Sequence, residues 1–339
     1  MVRGALAALV LALVPAALLA GIAGAPRRAA ADPNDLVLSR LATRITGAGG
    51  QLDSVVGQNL EFRALASQLG VVLAPHLLTP ADTLGFGGFQ FDVDVSQTSI
   101  DSTQPYWRAR AGSPDPSGEN RVANGPSVLR TVGVFAHKGL WFPVPSFEIG
   151  VGAVHLIDSS TWTAQLYGKI GLQEGYHELP IPSLAVRGAV SRMMNQRELD
   201  LTVASLDITA SKHFGIGGTW RLDPFIGWNL LFIIPRSEVI DATPNVDPLN
   251  PGDEMDANNN FVFKDQSTIY RQRLLVGAKF QYYVVQLTVE AQLALAGSSV
   301  DDRAGTSDPC QPGSTTSNCD AKDIAAAQTT LSVSAGVDF

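Results

Sequence analysis

The carboxy-terminal segment is the feature that most restricts how this chain can fold. Leu331, Val333, Ala335, Val337 and Phe339 alternate with Ser332, Ser334, Gly336 and Asp338. A period of two places one set on each face of a β-strand. The pattern recurs. Tyr283, Val285, Leu287, Val289, Ala291, Leu293 and Leu295 oppose Gln286, Thr288, Glu290 and Gln292, and Phe89, Phe91, Val93 and Val95 oppose Gln90, Asp92, Asp94 and Ser96. Weaker runs include Trp162–Ile170, Trp220–Phe232 and Leu274–Phe280. The spacing predicts about ten strands, near residues 86–97, 127–139, 146–158, 161–173, 181–193, 199–212, 219–234, 267–281, 283–297 and 328–339. Each approaches or exceeds the roughly 9–11 residues that a tilted strand needs to cross a bilayer.

One segment changes phase. Leu199, Leu201 and Val203 share a face, and Leu206, Ile208 and Ala210 share the other parity. A β-bulge near Ala204-Ser205 would return all six to one side.

The connections sort by length. Those at 98–126, 235–266 and 298–327 are long and polar, and they follow the first, seventh and ninth strands. Those near Trp141–Pro145, Glu174–Pro180, Phe214–Gly218 and Tyr282 are short. Every long connection therefore lies at one end of the sheet, the arrangement of a barrel with short periplasmic turns and long outer loops. With both termini on the periplasmic side the strand number is even; ten fits, and twelve is the alternative.

Composition agrees. Hydrophobic residues make up 45% and charged residues 17% of the 339, too apolar for disorder. A formal charge of -8 argues against non-specific nucleic-acid binding. Residues 1–31 read as a cleaved secretory signal: Arg3, an apolar run from Ala5 to Ile22, then Ala29-Ala30-Ala31. Export favours a disulfide between Cys310 and Cys319, which flank a short Pro/Gly/Ser/Thr-rich loop.

Together these residues resemble a bacterial outer-membrane β-barrel protein of the porin and transporter superfamily. The resemblance covers residues 84–339 and ends on the strand TTLSVSAGVDF, which is similar to the recognition strand read by the barrel-assembly machinery, with Phe339 as its terminal aromatic. It implies an all-β fold, a closed antiparallel up-and-down transmembrane barrel. The expected partners are outer-membrane lipid, lipopolysaccharide and the assembly machinery. The expected location is the outer membrane. Trp141, Phe142, Phe147, Trp162, Trp220, Tyr270, Tyr282, Tyr283 and Phe339 fall near strand ends, where aromatic girdles form.

Residues 32–83 form a separate segment. Leu60, Leu65, Leu69, Val72 and Leu73 recur at helical spacing, and Pro75, Pro80 and Gly85 close the run. This short helix is expected to pack on the periplasmic rim, with entry into the barrel as the alternative.

The inward faces are predicted to carry Asp92, Asp94, Glu148, Lys169, Arg187, Asp200, Asp207, Arg221, Asp223, Arg271, Arg273, Lys279 and Glu290. Such charges either line a polar channel or pair into a structural network. The acidic loop 235–266 holds Asp256-Ala257-Asn258-Asn259-Asn260, but Phe261 replaces the glycine of a calcium loop and Ser267 its closing glutamate. His76, His137, His155, His177 and His213 form no metal or catalytic motif. No catalytic, cofactor or metal site is expected. The leading functional expectation is passive, porin-like transport of small solutes or hydrophobic compounds. A plugged barrel presenting its long loops is the second reading, and an outer-membrane hydrolase the third.

Overall fold

A computed structural model describes residues 32–46, 52–76, 78–113, 125–144, 146–174, 181–241, 260–300 and 322–339. Residues 1–31, expected to be a signal segment, lie outside them, as do His177, most of the acidic loop, and Cys310 and Cys319 with their expected disulfide.

The ten strands are β1 (Phe89–Ser99), β2 (Val128–Leu140), β3 (Phe147–Leu156), β4 (Trp162–Gln173), β5 (Ser183–Met194), β6 (Leu199–Ser211), β7 (Trp220–Ser237), β8 (Ile269–Tyr282), β9 (Val285–Ala294) and β10 (Gln328–Asp338). Each pairs antiparallel with its sequence neighbours. The sheet then closes β10 onto β1, from Thr330 opposite Thr98 to Asp338 opposite Gln90. Phe339 finishes the seam by exchanging two backbone hydrogen bonds with Phe89, at 2.8 and 2.9 Å. Closure leaves no ladder edge unpaired, which a spanning sheet in hydrocarbon requires.

Alternation sets what each face meets. Val151, Leu166, Ile208, Ile226, Val276 and Leu331 are exposed on the exterior, while Asp92, Lys169, Asp207, Asp223 and Glu290 are buried inside. A soluble protein rarely exposes so continuous an apolar surface; a lipid-facing barrel must. Trp141, Phe142, Trp220, Tyr282, Tyr283 and Phe339 stand exposed at the short-turn end, and Trp162 and Tyr270 at the other.

The predicted bulge at Ala204-Ser205 does not form. β6 keeps one register with both β5 and β7, so Leu199, Leu201 and Val203 point inward while Leu206 and Ile208 face out. The apolar phase changes because the surroundings of the strand change. Near the long loops the barrel interior is itself apolar, and Leu199, Leu201 and Val203 join Leu231, Ile233, Phe62, Leu65 and Leu69 in one core. Among the described barrel strands, a ladder irregularity occurs instead between Gly171 and Gln173 of β4.

Residues 33–84 create that interior. A 3-10 turn (Leu38–Leu41) leads into a hairpin of Ala42–Thr46 with Leu52–Gly57, then helix α1 (Asn59–Val72). The expectation of a periplasmic-rim helix is corrected here: α1 packs inside the barrel at the long-loop end, against β6, β7, β8 and β10. Glu61 through Val72 are all buried. The polar members are matched by the loops. Arg63 donates to Ser267 O at 3.1 Å and Ser299 Oγ at 2.9 Å, Ser67 donates to Asp323 at 2.6 Å, and Glu61 pairs with Arg108. Phe62 stacks on Phe263 at 4.4 Å.

Gly70 lets the helix approach β7. A Cβ there would lie 2.6 Å from Ile233 Cδ1. Gly70→Val is therefore expected to destabilise the folded protein by about 1–3 kcal/mol through overpacking, read as a lower urea midpoint in detergent.

Candidate functional site

The remaining lumen is occupied by a strap, Leu73–Leu84, which runs from the end of α1 to the turn before β1. Its described residues, 73–76 and 78–84, follow a bent, irregular path, with Leu78 at a φ of 32° and Pro75 and Pro80 barring helix. The wall meets the strap mainly through its backbone. Ser191 donates to Leu73 O (2.7 Å), Gln165 to Ala74 O (3.4 Å) and Arg273 to Pro75 O (3.1 Å). Gln165 also accepts from His76 N (3.1 Å), Glu290 from Leu78 N (3.2 Å) and Ser211 from Ala81 N (3.0 Å). Lys169 donates to Pro80 O (3.3 Å) and Asp82 O (2.9 Å). Glu174 and Glu148 accept from Thr83 N (3.2 Å) and Leu84 N (3.0 Å).

Behind the strap the wall charges form chains of hydrogen bonds. In one, Asp92 meets His137 Nε2 at 2.7 Å, His137 Nδ1 meets the Tyr167 hydroxyl, Tyr167 donates to Glu148 at 2.5 Å, and Glu148 pairs with Lys169 at 3.1 Å. In the other, Arg187 pairs with Asp207 at 2.7 Å, Asn229 donates to Asp207, and Arg273 donates to Asn229 (2.7 Å) and Gln292 (2.9 Å), with Gln292 bonded in turn to Glu290. His76, on the strap, pairs with Asp94 on the wall. Each chain thus ends on strap backbone. The bonds satisfy buried charges that would otherwise be strongly destabilising.

At the short-turn mouth Asp223 pairs with Arg221 (2.6 Å) and His213 (2.7 Å), and Lys279 with Asp338 (3.1 Å). A cavity of about 180 Å³ remains there between the strap and these residues. At the long-loop end Arg271 donates to Ser67 Oγ (2.9 Å) and to Leu295 O (2.8 Å).

Room for the first chain comes from β3. A Cβ on Gly150 would overlap the Tyr167 ring and lie 2.9 Å from His137 Nδ1. Gly150→Ala is expected to displace Tyr167 and lower stability by about 1–3 kcal/mol, measured by the temperature at which the unboiled gel band converts to the unfolded one.

Twelve of the thirteen predicted lumen residues face inward. Asp200 does not: it lies on the exterior of β6, paired with exposed Arg192 at 2.7 Å. The same phase that turns Leu199 and Leu201 inward turns Asp200 out. Arg192, Arg197, Asp200 and Glu238 line a shallow groove of about 510 Å³ at the long-loop rim. His76, His137, Tyr167, Asn229 and Gln292 were not among the predicted site residues. Parity alone places the last four inward; no motif marks them.

The long-loop end is itself desolvated. Asp35 accepts from Ser160 N (2.6 Å) and Ser159 Oγ (2.9 Å), and Glu198 accepts from Leu38 N (2.6 Å). Burial pushes the Glu198 carboxyl above the usual carboxylate range, against the opposing pull of that N–H. Burial likewise lowers the guanidinium of Arg40, which donates to the carbonyls of Arg110 (2.5 Å) and Ala111 (3.2 Å). Among the described residues no group of acids, histidines or cysteines could hold a metal ion.

No protein-family model matches the sequence, and no curated protein matches it. Among solved structures the chain is similar to Neisserial surface protein A, at 10% identity over 75% of this chain and 99% of that one, with a TM-score of 0.30. It is similar to Ail, the attachment invasion locus protein of Yersinia pestis, at 11% identity over 75% and 99%, with a TM-score of 0.24. It is similar to the outer membrane protease OmpT from Escherichia coli, at 10% identity over 75% and 96%, with a TM-score of 0.28. The fold rests on the pairings above. A closed ten-strand antiparallel sheet, a lipid-facing apolar exterior with aromatic ends, and long loops gathered at one rim make this an outer-membrane β-barrel protein.

Proposed function

We propose that this protein is a plugged barrel that presents a structured surface at its long-loop end and does not conduct solutes in its resting state. The observation that supports this reading is the strap, whose described backbone groups on either side of residue 77, between Leu73 and Leu84, bond to side chains of the lumen wall. An open porin lines its lumen with hydrated charges; here those charges bond each other and the strap. The porin-like reading favoured by the strand pattern gives way to the second one.

In this reading the long-loop end faces outside. There the hairpin, α1 and the described parts of the loops pack together, suited to contact with other molecules. The rim arginines Arg192 and Arg197 then sit where lipopolysaccharide phosphates lie, and Phe339 at the seam is the end offered to the assembly machinery. No enzymatic activity is proposed.

The test is conductance. Purified full-length protein inserted into planar bilayers is expected to stay silent between about -100 and +100 mV, a range in which each elementary charge gains only about 2.3 kcal/mol. Steady open-channel steps from the intact chain would refute the plugged reading and restore the porin-like one.

A further inference from the structure

We infer that the cavity at the short-turn mouth is a binding site for a small, uncharged, polyhydroxylated solute. The inference rests on the plugged reading, because the strap forms one side of the site, and goes beyond it by naming a ligand class.

The charges of the site are already engaged with one another. Three bases and three acids line the cavity in pairs: Lys169 with Glu148 (3.1 Å), Lys279 with Asp338 (3.1 Å) and Arg221 with Asp82 (3.4 Å). Lys169 also donates to Pro80 O and Asp82 O, which holds the strap side of the site in place. A ligand with a net charge would have to open one of these pairs or stay uncompensated beside them. Both are strongly unfavourable away from water.

The groups left open are neutral amides. Gln281 lines the cavity and donates to Tyr283 O at 3.1 Å, but its Oε1 is shut off from solvent and has no hydrogen-bond partner among the described residues. Gln286 stands directly across the ladder from Gln281, buried on the same inward face. Neither its Oε1 nor its Nε2 has a partner among the described residues. A buried amide in this state bears its full desolvation cost, and a ligand that completes its bonds recovers it. Hydroxyl groups both donate and accept, so they suit two open acceptors and one open donor nitrogen.

Shape and lining restrict the ligand further. Among the described lining residues only Pro80 and Leu84 are apolar, so nothing there favours an aliphatic or aromatic body. The volume of about 180 Å³ equals about six waters at about 30 Å³ each. A short polyol fits that space, and its hydroxyls can reproduce the bonds that displaced waters would make.

The experiment uses the folded full chain in an amine-oxide detergent, which carries no sugar or polyol headgroup. Binding of meso-erythritol is followed by ligand-observed saturation-transfer NMR, with glycine and succinate as the zwitterionic and anionic comparisons. Erythritol is expected to saturate with a half-point below about 10 mM, and the two charged probes to bind at least about tenfold more weakly. Gln281→Leu with Gln286→Leu is expected to raise the erythritol half-point at least about tenfold, while the conversion temperature on gels does not fall. A half-point above about 10 mM, charged probes within about tenfold of erythritol, or a smaller effect of the double variant would each overturn the inference. The probe comparison in the unaltered chain decides the matter if the variant does not fold. Bilayer recordings on the same preparation keep the two readings apart: silence without erythritol binding overturns this inference and leaves the plugged reading standing.

Discussion

Glu148→Ala is expected to destabilise the barrel by about 3–5 kcal/mol, the usual cost of removing one partner from a buried ion pair. The side chain is buried and accepts from Lys169, Tyr167 and Leu84 N. Truncation leaves the Lys169 ammonium with only the carbonyls of Pro80 and Asp82, and leaves a hydroxyl and an amide without acceptors. Urea midpoints for folding into detergent micelles measure the loss. Glu148→Gln keeps an acceptor for Tyr167 but strands the ammonium, so its effect should be intermediate. The double variant Glu148→Leu with Lys169→Met removes both charges and should recover part of the loss. If Glu148→Ala falls within about 0.5 kcal/mol of wild type, the value typical of a surface substitution, the buried network is not as described.

Deleting residues 33–84 is expected to turn a silent barrel into a conducting one. Without the strap the two hydrogen-bonded chains lose their lumen-side partners and must hydrate, so ions gain a path. At the long-loop end the deletion strips cover from Leu199, Leu201, Val203, Leu231 and Ile233, which share their core with α1. The bare mouth should therefore bind apolar dyes and lower the conversion temperature. A retained shift in gel mobility on boiling checks that the barrel still closes. A deletion variant that folds and stays silent would mean that the strap is not what blocks the lumen.

Much of this architecture is legible in the sequence because a barrel in lipid imposes a two-residue period on every strand. All ten strands keep that period, and their bounds follow the alternation closely, but inward positions near the long loops are apolar on several of them, among them Leu129 of β2, Leu156 of β3 and Leu231 and Ile233 of β7. β6 shows the consequence most clearly. Its sequence carries apolar residues on both parities, and the assumption that all apolar residues seek lipid demanded a bulge. That one assumption also put both Asp200 and Asp207 inside. The real strand is regular, so one of the two had to face out, and Asp200 does. The missing information was the position of α1.

The helix itself is visible from Leu60, Leu65 and Leu69, but its destination is not. The groups that receive it lie far along the chain: Ser67 bonds Asp323, 256 residues away, and Arg63 bonds Ser299, 236 away. No local period encodes such contacts. The strap escaped notice for a related reason. Its bonds use backbone atoms, which every residue carries, and the wall partners Gln165 and Ser211 are ordinary polar residues on an inward face.

The central claim is that residues 73–84 pass through the lumen beside the wall. The most direct test pairs Ala81→Cys with Ser211→Cys in a chain in which Cys310 and Cys319 are serine. Ala81 N lies 3.0 Å from Ser211 Oγ, close enough for the two new thiols to approach bonding geometry. On mild oxidation of native membranes the account predicts a disulfide, seen as altered gel mobility that reductant reverses. It also predicts that neither single cysteine reacts with a membrane-impermeant thiol reagent until the protein is unfolded. No cross-link, together with ready labelling of both positions in the folded protein, would contradict it.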